Sequence, residues 1–153
     1  MGKEAGEVRK TLRGVGNLKY VEVQNVPIKV YPGLGDSVDA QVLADIEKQV
    51  AREIITRRIH VRGLEVEFFR SLLGLSQREF AQKLGLSHVS VLKWEKAHAK
   101  PLELVNEVAL KALMAGLLKM RLPASVESLS GEVSVPRKLV LNYSSLFPQR
   151  RRA

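Results

Sequence analysis

The sequence predicts a mainly α-helical protein, with a domain of five short helices preceded by one long helix and small β elements at the N- and C-terminal ends. Apolar residues recur at helical spacing on both sides of Gly85, and they form a single stripe from Val42 to Ile54. Apolar residues are also frequent in the segment after Pro101. Short valine-rich runs near both ends have the composition of strands. These patterns together indicate a helical centre between β-prone ends.

Two short amphipathic helices are predicted to meet at Gly85. The apolar positions that define them are Phe80, Ala81, Leu84, Val91 and Trp94. Ser76 can cap the first helix, with Glu79 as its capping-box partner, and Ser87 can cap the second. Gly85 allows the sharp stop between them. Two helices joined by a short turn containing glycine describe a helix-turn-helix, whose second helix enters the major groove of DNA.

A helix on each side completes this domain. Upstream, Val66, Phe69 and Leu73 share one face; downstream, the closing helix is expected to pack through Leu104, Val105, Val108, Ala109, Ala112 and Leu113. Residues 64–113 resemble the phage-repressor and Cro-like (XRE-type) helix-turn-helix family. The resemblance rests on Arg70, Leu75-Ser76-Gln77, Glu79-Phe80-Ala81, Leu84-Gly85-Leu86-Ser87 and Trp94-Glu95. It implies a repressor-like fold that binds double-stranded DNA.

Composition agrees with a polyanionic partner. The 153 residues include 25 Lys and Arg against 16 Asp and Glu, a formal charge of +9, although an acidic protein or a membrane surface would also suit this charge. The chain has no cysteine, so disulfides and thiolate metal sites are excluded, and no metal or cofactor is expected. It also lacks an apolar run of signal-peptide or membrane-span length, which predicts a cytoplasmic protein with no membrane partner.

The N-terminal segment predicts mobility over residues 1–17 and a surface hairpin of two short strands, broken at residues 25–27. Residues 26–36 also resemble the end of the zinc domain in MqsA/YgiT-type antitoxins. Tyr31 and Leu34 stand where that family has its second cysteine pair, so the chain looks like this family with its metal site lost. The resemblance implies an antitoxin-like transcriptional regulator with a cognate toxin as a possible partner.

These patterns divide the chain into four parts. Residues 1–36 form an arm and strands resembling a degenerate zinc domain, residues 37–62 a connecting helix, residues 63–119 the helix-turn-helix domain, and residues 120–153 C-terminal strands and a basic tail. Strands are expected at residues 132–135 and 138–142, with their partners left open. The arginines at 150–152 are either a phosphate-binding arm or a solubilising tail.

The connecting helix is expected to bury a stripe formed by Val42 or Leu43, Ile46, Val50 and Ile54. Ser37 or Asp39 can cap its N-terminus. A basic joint follows it, formed by Arg57, Arg58, His60 and Arg62. The joint is either a solvated face or a phosphate contact.

The residues expected to meet base edges begin the second helix of the pair: Ser87, His88, Val89, Ser90 and Lys93. Val89 either contacts a thymine methyl or packs inward, and Lys93 either donates to guanine or sits on a phosphate. Gln77 and Arg78 are predicted phosphate contacts at the first helix. The family resemblance implies that Arg70 and Glu95 form an internal ion pair, and Trp94 is expected in the core.

Catalysis is not expected, because His60, His88 and His98 are dispersed and fit no catalytic motif. Three hypotheses remain: an antitoxin-like autorepressor, a free-standing repressor, and a protein-interaction adaptor on a helix-turn-helix fold. For the repressors we expect a homodimer on a palindromic operator, joined through the closing helix and the C-terminal strands.

Overall fold

The computed structural model describes residues 6–121 and 126–148 of the chain. Over these residues the fold is mixed, with 48% helix and 25% strand, so the β structure is larger than the small elements predicted. Six α-helices are described, and the last of them is a single turn at Tyr143–Leu146. The described residues form two compact units. Unit 1 comprises residues 6–47 and 137–148, and unit 2 is Lys48–Pro136 with residues 122–125 outside the description.

Unit 1 contains a four-stranded sheet built around one long strand. Its strands are β1 (Gly6–Val15), β2 (Leu18–Tyr31), β3 (Gly35–Ser37) and β4 (Leu139–Asn142). Strands β1 and β3 pair with β2 in antiparallel fashion, whereas β4 pairs with it in parallel, Val21 opposite Leu139. The C-terminal strand expected at residues 138–142 is therefore a partner of β2 within the same chain.

Strand β2 forms the core of unit 1, so the predicted surface hairpin is wrong. Its inward-facing residues are Leu18, Val21, Val23, Val26 and Ile28, all buried. The predicted break at residues 25–27 is a β-bulge inside one continuous strand. Gln24 and Asn25 lie opposite the single residue Thr11, and Asn25 adopts a φ of 58°. Asparagine tolerates this left-handed conformation better than most residues.

The mobility predicted for residues 1–17 is wrong over β1, while residues 1–5 lie outside the described chain. Strand β1 buries only Val15, so hydrophobic burial does not explain its order. Backbone hydrogen bonds to β2 along most of the length of β1 explain its order instead. The pairing begins at the two-residue turn of Gly16 and Asn17, where Val15 lies opposite Leu18, and it leaves little trace in the burial pattern of the β1 side chains.

Tyr31 and Leu34, which the suggested resemblance aligns with zinc-binding cysteines, lie at the turn between β2 and β3. The Leu34 N–H donates to the Tyr31 carbonyl at 2.9 Å, and the Leu34 side chain is 87% exposed. The segment that resembles a zinc knuckle is therefore a tight β-turn here.

Helix α1 (Ala40–Thr56) is capped by Asp39, whose carboxylate accepts the Gln41 N–H at 2.9 Å. This backbone hydrogen bond lowers the pKa of Asp39. Ser37, the alternative cap, ends β3. The predicted apolar stripe is buried at Ile46, Val50 and Ile54.

Unit 2 contains the C-terminal part of α1 and four further α-helices. These are α2 (Gly63–Leu72), α3 (Gln77–Leu84), α4 (His88–Lys96) and α5 (Leu104–Leu117), and a 3-10 helix follows at Val126–Leu129. Residues 63–119 thus hold four helices, so the predicted five-helix arrangement is not confirmed. Their core contains Val66, Phe69, Phe80, Val91 and Leu110, each fully buried.

Helix α5 packs through a face different from the one predicted. Its buried residues are Glu107, Leu110, Lys111, Met114 and Ala115, whereas Leu104 and Val105 are 62% and 78% exposed. Glu107 accepts the Val61 N–H at 2.8 Å and also the Gly131 N–H. Lys111 donates to the Ile59 carbonyl at 2.8 Å, and burial lowers the pKa of its ammonium.

The residues of the basic joint make internal contacts, and the Arg57 side chain is also 49% exposed. Arg57 pairs with Glu53 and Arg62 with Glu65, while His60 Nδ1 lies 3.4 Å from the Glu107 carboxylate. The Arg58 guanidinium reaches further along the chain. It donates to the backbone carbonyls of Glu127 and Ser130 and to the Glu132 carboxylate.

The strand expected at residues 132–135 is a single bridge between Val133 and Ile59. The arginines at 150–152 lie outside the described residues. Among the helices that the structure describes, none combines the length and the hydropathy that a membrane span requires.

Candidate nucleic-acid interface

The turn between α3 and α4 is set by local hydrogen bonds. The Ser76 hydroxyl accepts the Glu79 N–H at 3.1 Å, and the Glu79 carboxylate accepts the Ser76 N–H at 3.2 Å, which confirms the predicted capping box. Gly85 ends α3 with a φ of 71°, a conformation that favours glycine. Ser87 occupies the N-cap position of α4.

The predicted side-chain cap by Ser87 is wrong. The Ser87 hydroxyl lies 3.3 Å from the Ser90 hydroxyl and accepts no backbone N–H of α4. The two serines bond to each other at the start of the helix because they are three residues apart, on the same face.

The first turn of α4 is open to solvent at the positions predicted to read bases. Ser87, His88 and Lys93 are exposed and Ser90 is half-buried. Val89 is 43% exposed, so it does not pack inward; the residue that does is Val91. The start of α4 therefore presents serine hydroxyls, the His88 imidazole, the Val89 methyl groups and the Lys93 ammonium on the accessible part of the helix.

Cations surround this helix. Arg78 at the start of α3, Lys96 at the end of α4 and Lys100 beyond it are exposed, like Lys93. None of these four has an ion-pair partner among the described residues. Unpaired cations beside a groove-sized helix attract phosphates. Sequence reasoning missed Lys96 and Lys100, although their spacing from Lys93 was a visible signal.

One ion pair ties three helices together. The Arg70 Nε and terminal nitrogen on α2 donate to the Glu95 carboxylate on α4 at 2.8 and 2.9 Å. Arg70 also donates to the Leu75 carbonyl at 3.0 Å, and the Gln77 amide donates to Glu95 at 3.2 Å. The hydrogen bond to Glu95 raises the pKa of Arg70. Gln77, predicted at a phosphate, therefore has an internal partner as well.

Trp94 was expected in the core, and the structure corrects this. Its side chain is half-buried and lines an open cavity beside α4, while Val91 takes the core position. The half-buried Trp94 side chain is therefore accessible to a ligand in this cavity. No group of three or more histidine, aspartate or glutamate side chains is placed as metal ligands within the described ranges.

One comparison with known proteins falls on these helices. Residues 68–105 match the helix-turn-helix family model of XRE type. The match covers α3 and α4 entirely, together with the part of α2 that carries Arg70. It supports a DNA-binding regulator. No curated protein and no solved structure gives a significant match to the chain. The resemblance to MqsA/YgiT-type antitoxins thus stays a hypothesis.

Proposed function

We propose that the protein is a sequence-specific repressor that binds its own promoter, as the antitoxin-like regulator of a toxin-antitoxin operon. The observation that carries DNA binding is the exposed first turn of α4, held by the Arg70–Glu95 pair. Only the major groove displays a distinct pattern for every base pair, and its width admits one helix. The proposed role is binding rather than catalysis.

Each exposed group has a role that follows from its chemistry. The Val89 methyls suit the methyl group of thymine, and the Lys93 ammonium suits O6 and N7 of guanine. Ser87, His88 and Ser90 add donors and acceptors beside them. Gln77 and Arg78, at the N-terminus of α3, suit a phosphate because the helix dipole and free N–H groups favour an anion there.

We propose a homodimer joined through the outer face of α5. The only charged residues of α5 are Glu107 and Lys111, and both are buried. The residues left outside are apolar along the whole helix: Leu104, Val105, Ala109, Gly116 and Leu117 are exposed. An uncharged helix face on a protein of net charge +9 suits a second copy of itself. The C-terminal strands were expected to contribute to the dimer interface as well. Strand β4 is already paired with β2 of the same chain, so the proposed interface is limited to α5.

The toxin-binding role is assigned to unit 1, because unit 2 carries the matched DNA-binding region. A second candidate is a repressor without a toxin that responds to a small molecule, and the cavity lined by Trp94 favours it. The adaptor hypothesis is weaker. The exposed face of α4 is polar and cationic, and it would repel most basic partners while attracting DNA.

The test is footprinting on DNA upstream of the protein's own reading frame. We expect protection of two half-sites about one helical turn of DNA apart, roughly 34 Å. Competition with unrelated DNA at fixed salt measures specificity. Equal affinity for both DNAs would contradict the repressor. For the antitoxin role, the neighbouring reading frame is expressed with and without this protein; growth arrest that this protein does not relieve contradicts that role.

A further inference from the structure

A cavity of about 390 Å³ opens between α4, the loop after it and the start of α5. Its apolar wall includes Leu86, Trp94, Pro101 and Leu102, of which Leu102 is buried. Small-molecule sites in proteins measure roughly 300–1,000 Å³ and combine apolar walls with a few polar groups. The size and the wall therefore suit one aromatic ring with a short substituent.

The polar groups at the cavity define the charge of its ligand. Lys93 and Lys100 both line it, and neither ammonium has an ion-pair partner among the described residues. Asn106 adds a neutral amide. Among the described residues of the lining Glu103 is the one carboxylate, which leaves these residues with a net charge of +1. A ligand with a single negative charge neutralises that excess, and a ring can stack on the indole of Trp94.

We infer that this cavity binds a small aromatic carboxylate and that the bound carboxylate opposes DNA binding. Ser90 and Lys93 line the cavity and also belong to the surface proposed to read bases. A carboxylate on Lys93 withdraws its ammonium from guanine and adds a negative charge beside the phosphates. The opposition to DNA rests on the proposed function, whereas the binding site does not.

The test of the site uses benzoate as the probe and Trp94 as the reporter, since the chain has a single tryptophan. We expect a saturable change in its fluorescence. Lys100→Ala removes one of the two cations and should raise the Kd of benzoate about three- to five-fold. Lys83→Ala is the matched control, because Lys83 is an exposed lysine of α3 outside the cavity lining. Benzamide is the neutral analogue of benzoate. Its Kd for the wild-type protein should be at least as high as the Kd of benzoate for Lys100→Ala.

Three results overturn the site: a fluorescence change that never saturates, equal Kd values for Lys100→Ala and Lys83→Ala, or equal binding of benzamide and benzoate. The coupling is measured separately. Saturating benzoate should raise the Kd for the promoter DNA, and an unchanged Kd overturns the opposition to DNA. Saturable benzoate binding by a protein with no affinity for any DNA leaves the site standing and rejects the proposed repressor instead.

Discussion

The Arg70 guanidinium donates two parallel hydrogen bonds to the Glu95 carboxylate, which is 6% exposed. Glu95 also accepts from the Gln77 amide, so one buried charge holds the first helix of the domain and both helices of the helix-turn-helix. Planar, bidentate pairs of this kind fix orientation as well as distance. The angle at which α4 is presented therefore depends on this pair.

Arg70→Met should lower the free energy of unfolding by about 3–5 kcal/mol, because the buried Glu95 charge then lacks its partner. Denaturant unfolding at neutral pH measures this. Arg78→Met is the control: Arg78 is exposed and has no ion-pair partner among the described residues, so its loss should change stability by less than about 0.5 kcal/mol. If Arg70→Met is as stable as the control and fails only in DNA binding, Arg70 belongs to the DNA contact instead.

Lys93→Ala should weaken operator binding by about 1–3 kcal/mol and relax preference at one base pair. Gln77→Ala should weaken binding to every DNA sequence to a similar extent, since phosphates carry no sequence information. Competition binding across operator variants at one salt concentration separates the two. A uniform loss for Lys93→Ala would show that its ammonium contacts a phosphate.

Val105→Glu should convert a dimer to a monomer, because Val105 is 78% exposed and lies on the uncharged face of α5. Sedimentation at micromolar concentration measures the association. Leu34→Glu is the matched control, since Leu34 is 87% exposed but lies in the turn of unit 1. Dissociation by Leu34→Glu alone would move the interface to the sheet. A wild-type monomer would reject the dimer altogether.

Gly63→Ala should destabilise the protein, whereas Gly116→Ala should not. A methyl group at Gly63 would overlap the Trp94 carbonyl oxygen and lie 2.9 Å from the Ala97 carbonyl oxygen, so backbone must shift. At Gly116, inside α5, no described atom beyond the adjacent residues and the helix's own backbone lies within 4 Å of an added methyl group, and alanine should add about 0.4–1 kcal/mol by restricting the unfolded chain. Thermal unfolding of both variants tests the contrast; equal melting temperatures would contradict the close approach of α2 to the end of α4.

The purified protein should contain no stoichiometric zinc, and a chelator should leave its unfolding curve unchanged. Structural zinc needs four soft or imidazole ligands, and Tyr31 and Leu34 offer none. Elemental analysis is the measurement, with a cysteine-containing zinc protein as the positive control. One zinc per chain would overturn the view that the metal site is lost.

The parts of this fold that the sequence predicts are those decided within a few residues. Ser76, Glu79 and Gly85 act on backbone groups at most four positions away, so the capping box and the stop of α3 follow from spacing. Ser87 shows the limit even there, since its hydroxyl has Ser90 as an alternative partner. The Ser87 hydroxyl could bond either to a backbone N–H of α4 or to the Ser90 hydroxyl, and the sequence does not indicate which of these hydrogen bonds is more stable.

Long-range partners explain the errors. Apolar residues occupy every face of α5. The usual assumption that charged residues face water therefore predicts the wrong buried face, because Glu107 and Lys111 lie on the buried one. Glu107 and Lys111 are buried because backbone groups of Ile59, Val61 and Gly131 satisfy them. Those partners lie 24 to 52 residues away in sequence. No local pattern encodes such contacts.

The order of elements along the chain determines which unit can be completed first during synthesis. Unit 2 is continuous from Lys48 to Pro136, whereas unit 1 is interrupted by it and needs β4 from the far side. Domains fold as units while the chain emerges from the ribosome. The DNA-binding helices are therefore all available before β4 closes the edge of β2. A nascent or truncated chain that stops before residue 137 keeps the DNA-binding helices but leaves that β2 edge open, and an open edge invites aggregation.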